Sequence, residues 1–238
     1  MTDGIYPALG RQSGLLREMN TIAQNIANAN TTGYRSESVL FSEHVVDTGR
    51  GNPSVSLAHA NAQTMNLTQG AMEPTGGVLD LAIEGDGFFL VDRNGEQYLT
   101  RAGAFVLGAD GGVQTVEGDP VLDAGGAPVV VPPGSDAIHI GQDGTLSADG
   151  EPLAQIGVVV PNAPDRLTRL VGTLFAAPGG TQPVETPRVM QGFLEASNVN
   201  PVLEIARMVT VQNAYELGQS FMEREDERLR SIFRLMEQ

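Results

Sequence analysis

The chain has 238 residues, a formal net charge of −15, no cysteine, and 14 basic residues that are all arginine. That balance excludes a dedicated nucleic-acid partner, which would need a basic patch, and the missing thiols exclude disulfides, thiolate metal sites and cysteine nucleophiles. No apolar run is long enough to cross a bilayer, so no membrane span is expected.

The first predicted element is a helix. Leu9, Leu16 and Ala23 recur at a seven-residue spacing with Gln12, Met19 and Ile26 between them, and Leu15 and Ile22 widen the stripe. Pro7 suits a first helical turn, where its missing N–H costs nothing, so the helix should begin near Tyr6 and leave Ile5 outside. It should stop within residues 28–33, with Gly33 supplying a left-handed position just past the end. Arg11, Arg17 and Glu18 interrupt the apolar positions of residues 1–20, unlike the continuous apolar core of a cleaved secretory signal. The expectation is a protein that stays in the cytoplasm or leaves by a route reading no cleavable peptide.

Residues 34–77 lose the helical period. Short apolar pieces such as Val39-Leu40-Phe41 and His44-Val45-Val46 are scattered among polar residues, which reads as an extended connector. From Val78 the period becomes two, and turn signals follow closely: Asn94-Gly95, Asp110-Gly111, Glu117-Gly118, Asp143-Gly144 and Asp149-Gly150. Between them lie β-prone pieces around Tyr98–Thr100, Ala104–Leu107, Val129–Val131, Ile138–Ile140, Ile156–Val160 and Leu170–Phe175. Short strands joined by Asx-Gly turns predict an antiparallel β domain over residues 78–187.

Residues 188–199 lead into the closing helix of residues 200–238. Asn200 can cap it, Pro201 suits its first position, and Glu204 is favourable at its positive end. Met208, Tyr215, Met222, Leu229 and Met236 recur every seven residues, while Val211, Gly218, Glu225 and Ile232 fall three places after the first four. That is the seam of a helix made to lie along another, interrupted at Gly218 and Glu225. The predicted fold class is α+β: N- and C-terminal helices pairing as an α-helical, coiled-coil-like domain, with a central antiparallel β-rich domain. Residues 200–238 would then lie against residues 1–33.

The residues offer little to an enzyme. His139 alternates with Ile138 and Ile140 on the wet face of a strand, and His44 and His59 lack ligands at metal spacing. No nucleophile elbow, P-loop or dinucleotide fingerprint occurs; Gly85-Asp86-Gly87 lacks the later glycine and the following helix. No catalytic residue, metal or cofactor is expected. A carbohydrate-binding β module is the other class, but such faces stack sugars on aromatic rings, and the chain has no Trp and only 4 Tyr.

Three motifs carry a family resemblance. Asn25-Ile26-Ala27-Asn28-Ala29-Asn30-Thr31-Thr32-Gly33-Tyr34 is the first. Leu81-Ala82-Ile83-Glu84-Gly85-Asp86-Gly87-Phe88-Phe89, with Tyr98 to Gly103, is the second. The third runs from Gly192 and Leu194 through Glu195, Ser197, Asn198, Val199 and Asn200 to Pro201. In this order they resemble the axial proteins of the bacterial flagellum, the rod and hook proteins. The short middle and the Asn198-Val199-Asn200-Pro201-Val202 lead-in favour a proximal-rod member, with a distal-rod member as the alternative. Pro7 departs from relatives that continue the helix there.

The resemblance implies a structural subunit of the basal-body rod, exported through the flagellar type III export apparatus without a cleaved signal. In the periplasm it would polymerise with copies of itself and other flagellar rod proteins into a hollow, torque-transmitting shaft. Its assembly residues would be Leu9, Leu16, Met19, Ile22, Ala23 and Ile26 on the first helix. On the last they would be Met208, Val211, Tyr215, Met222, Leu229, Ile232 and Met236.

Overall fold

The computed structural model describes residues 5–46, 55–135 and 137–236. Its content is mixed: a β-rich core, with helix α1 over Ile5–Ala27 and helix α2 over Pro201–Met236 at the two ends. The chain divides into two compact units. A helical unit comprises Met1–Ala27, Glu37–Asn66 and Val199–Gln238, and a β-rich unit comprises Asn28–Ser36 and Leu67–Asn198.

In the helical unit α1 begins at Ile5 rather than after it, so Pro7 sits inside the first turn. It ends at Ala27, several residues before Gly33, which therefore is not its cap. The stretch expected as an extended connector contains a paired ribbon, β1 over Glu37–Val46 and β2 over Val55–Met65, with Glu37 opposite Met65 and a register shift after Leu40. The short apolar pieces noted in the sequence are parts of one strand, and only its partner in β2 reveals it. α2 starts as its residues dictate. The Leu203 N–H donates to Asn200 Oδ1 at 3.2 Å, Pro201 opens the helix and Glu204 lies in its first turn.

The β-rich unit is built around a six-stranded antiparallel sheet. Its order is Thr168–Arg169, Leu174–Ala176, Glu96–Thr100, Phe88–Arg93, Val158–Pro161 and Thr181–Pro183. The hairpin between Phe88–Arg93 and Glu96–Thr100 turns at Asn94 and Gly95, both left-handed, with φ of 59° and 84°. That turn matches the strand twist, which is why Asn-Gly announces it. Asp149 and Gly150 do the same between Thr145–Ala148 and Glu151–Gln155, with φ of 52° and 87°. The expected strand at residues 170–175 is instead a turn with exposed Leu170 and Val171, followed by the strand Leu174–Ala176. Val129 and Val131 are buried, and the segment makes isolated bridges through Pro128 and Val130 rather than a strand. The core gathers Leu81, Ile83, Phe89, Val91, Phe105, Val121, Ile140, Leu146, Ile156 and Leu174. His139 is exposed, as its alternation predicts.

Candidate assembly interface

Within the helical unit α1 and α2 run antiparallel. Leu15, Ile22 and Val211 are buried together, and Met19, Ile26, Met208, Ala214 and Tyr215 close over them. The face of α1 that meets α2 is thus Gln12, Leu15, Met19, Ile22 and Ile26. Leu9 and Leu16 are 57 % and 47 % exposed, and Ala23 is exposed as well, so of the stripe read from the sequence Gln12, Leu15, Met19, Ile22 and Ile26 meet α2 and these three do not. The reason is physical: α1 carries two overlapping apolar stripes, and period alone does not say which one a partner covers. On α2, Met208, Val211 and Tyr215 pack against α1, and Met222 is half-buried. The side chains of Leu229, Ile232 and Met236 lie outside the described residues.

Gly218, one interruption of the seam, faces Gln12 of α1. Gln12 is 6 % exposed and its Nε2 donates to the Tyr215 carbonyl at 2.9 Å. A Cβ on Gly218 would stand 2.9 Å from that same amide nitrogen, so the glycine makes room for the glutamine. The other amide atom, Gln12 Oε1, is buried and has no hydrogen-bond partner among the described residues. A buried acceptor left unpaired is destabilising, so Gln12→Leu should raise the stability of the helix pair by about 1 kcal/mol. Thermal unfolding followed by circular dichroism checks this, and a lower midpoint would show that the amide is net stabilising.

At the other end of the pair, Asn25 is fully buried. Its Nδ2 donates to the Glu37 carbonyl at 2.8 Å and to Glu204 Oε2 at 3.1 Å, while its Oδ1 accepts from the Glu37 N–H at 3.0 Å. The side chain imitates a strand and ties the start of β1 to both helices. Arg207 bridges Glu204 at 3.2 Å and Glu18 at 3.5 Å beside it.

In the β-rich unit the three sequence motifs converge on one buried ionic cluster. Glu195 is 1 % exposed; its Oε1 lies 2.8 Å from Arg35 Nη2 and its Oε2 3.3 Å from Arg101 Nη1. Glu195 Oε1 also accepts from the Gly70 N–H at 2.9 Å. Arg35 donates to the Thr68 carbonyl, and Arg101 donates to the carbonyls of Ile83, at 3.0 Å, and Gly85. Burial pulls the Arg101 guanidinium down to about 10 and Arg35 down as well, with Glu195 opposing both, so each stays charged at neutral pH. Arg169 completes the surround, its guanidinium 4.2 Å from the Tyr34 ring and 4.8 Å from that of Phe175.

The remaining motif residues take other positions. Gly33 donates to the Glu195 carbonyl at 2.7 Å, and Phe88 and Phe89 are buried edge-on to Phe175 and Phe105. Gly85 and Asp86 are exposed in the turn, Gly87 is buried, and Asn28 and Thr32 are half-buried beside exposed Asn30. Gly192, Leu194, Ser197, Asn198 and Val199 are half-buried, and Asn200 is exposed. Sequence reasoning missed Arg35 and Arg169. Their only signal is arginine in a strongly acidic chain, one of them directly after Tyr34.

Residues 5–35 match the family described as Flagella basal body rod protein, residues 82–148 the Flagellar hook protein FlgE/F/G D1 domain, and residues 190–235 the Flagellar basal body rod FlgEFG protein C-terminal. The flagellar basal-body rod protein FlgF of Mesorhizobium japonicum is 38% identical over 91% of this chain and 90% of its own length. FlgF of Caulobacter vibrioides is 37% identical over 97% and 96%. FlgG of Bacillus subtilis, also a basal-body rod protein, is 29% identical over 99% of both.

Proposed function

The chain belongs to the flagellar basal-body rod protein family, and on that premise we propose that it is a proximal-rod subunit that polymerises through its terminal helices. It is a structural subunit, and the flagellar basal body is its setting. The helices pair in coiled-coil fashion within a subunit and stack on those of neighbouring copies and other rod proteins. They build a hollow, torque-transmitting shaft in the periplasm, with residues 78–187 as the core of an outward domain. Export of the chain proceeds through the flagellar type III apparatus. The greater similarity to FlgF chains than to the FlgG chain supports the proximal over the distal position.

The observation that carries assembly is the apolar surface left on the helices after they have paired. Leu9 and Leu16 on α1, and Val202, Leu203, Ile205, Val209, Leu217 and Phe221 on α2, are all more than 40 % exposed. An amphipathic helix normally shows one apolar stripe, and a second one is stable in water only when another surface covers it. Assembly on this surface is head-to-tail and open-ended, giving a filament rather than a closed ring.

Removing residues 201–238 tests this. Every residue of the ionic cluster remains, so the β-rich unit should stay folded while incorporation into basal bodies and motility are lost. The truncated protein in purified basal bodies would overturn the reading. Ile205→Glu is the gentler variant: at an exposed site it should change monomer stability by less than about 0.5 kcal/mol yet block incorporation.

A further inference from the structure

The chain passes between its two units after Ala27, Ser36, Asn66 and Asn198, so force carried along the backbone enters the β-rich unit at those points. Inside the β-rich unit, three of the corresponding segments are fastened to one another. The Ser36 N–H donates to Asn198 Oδ1 at 2.7 Å, Asn198 Nδ2 donates to the Thr68 carbonyl at 2.9 Å, and the Asn198 N–H donates to the Tyr34 carbonyl at 3.3 Å. Arg35 joins Thr68 to Glu195, and Arg101 anchors Glu195 to the sheet. Arg169 donates to the Arg35 carbonyl at 2.5 Å from the neighbouring strand.

We propose that Arg35, Arg101, Glu195 and Asn198 form a mechanical clamp that keeps the β-rich unit closed when torque pulls on the chain at residues 36, 67 and 198. The proposal rests on the rod reading for the source of the force, but the clamp itself belongs to the monomer. Its chemistry suits resistance better than equilibrium stability. Buried ion pairs contribute little net stability because desolvating the charges offsets their attraction. Pulling them apart inside the protein, however, exposes bare charges to a poor solvent before water can reach them. That raises the barrier to opening, which is what matters under load.

The test is single-molecule force spectroscopy on the full chain, with handles on cysteines introduced as Ser38→Cys and Val202→Cys in a protein that has no other cysteine. Asn198→Ala should open about tenfold faster at constant force. The triple variant Arg35→Met, Arg101→Met, Glu195→Met should still unfold cooperatively in urea yet open under force by at least that factor. If the triple variant fails to fold, Asn198→Ala, altered at a half-buried site, decides alone. Parent-like opening of Asn198→Ala would overturn the clamp. In cells, Asn198→Ala should swim normally in dilute medium and slow in viscous medium, and equal swimming in both would also overturn it. Failure of the rod reading is distinguishable, because it would appear as intact motility in the strain lacking residues 201–238.

Discussion

Glu195→Gln is expected to lower the stability of the β-rich unit by about 3–5 kcal/mol, the range for breaking a buried ion pair by removing one partner. Glutamine keeps the size of the side chain and can still accept from the Gly70 N–H. What it cannot do is neutralise Arg35 and Arg101, which are 1 % and 3 % exposed. Their guanidiniums remain charged at neutral pH even though burial holds Arg101 near 10. Two cations would then share a dry site that has lost the carboxylate between them, with exposed Asp86 the anion still nearby. Urea unfolding followed through Tyr fluorescence measures the loss, and a change below about 1 kcal/mol would show the cluster to be effectively solvated.

The same variant has a pH signature with a definite sign. Arg101 titrates below its usual value in the folded chain, so over that interval the unfolded chain binds more protons and stability rises with pH. Without Glu195, which raises its pKa in the parent, the folded value falls further. The deficit of Glu195→Gln should therefore shrink as pH climbs toward and past about 10. A deficit that stays constant to that pH would point to lost hydrogen bonding rather than to charge.

How much of this was legible depended on whether the determining interaction was local. The start of α2 was legible because Asn200, Pro201 and Glu204 each act on the nearest turn. The hairpins were legible because Asn94-Gly95 and Asp149-Gly150 permit a backbone that few other pairs allow. On α2 one heptad stripe dominates, and Met208, Val211 and Tyr215 on it lie against α1. α1 was legible as a helix with a wide stripe, but which edge of the stripe lies inward was not, because Leu9 and Leu16 compete with Leu15 and Ile22. The ribbon of β1 and β2 and the Arg35–Glu195–Arg101 cluster depend on partners distant in sequence, and no local pattern encodes them. Gly218 was visible as a gap in the seam; that it makes room for Gln12 was not.

Gly33→Val should unfold the β-rich unit or lower its stability by more than about 3 kcal/mol, beyond the usual range for a point change. The reason differs from the helix cap that the sequence suggests. Gly33 has a φ of 69°, and a Cβ there would lie 2.2 Å from the Ala102 nitrogen and 2.3 Å from the Arg101 carbonyl carbon. Those are backbone atoms, and Arg101 is fixed by Glu195 and by two carbonyls, so nothing can step aside. Gly76 supplies the control, with a φ of 72° and open space where its Cβ would be. Gly76→Ala should therefore cost about 1 kcal/mol for the left-handed backbone alone. Gly33→Ala carries the same strain plus the collision, and the difference between the two alanine variants in chemical unfolding isolates the close approach. Equal losses would mean that residues 101–102 yield, and a cluster whose backbone yields that easily could not act as a clamp.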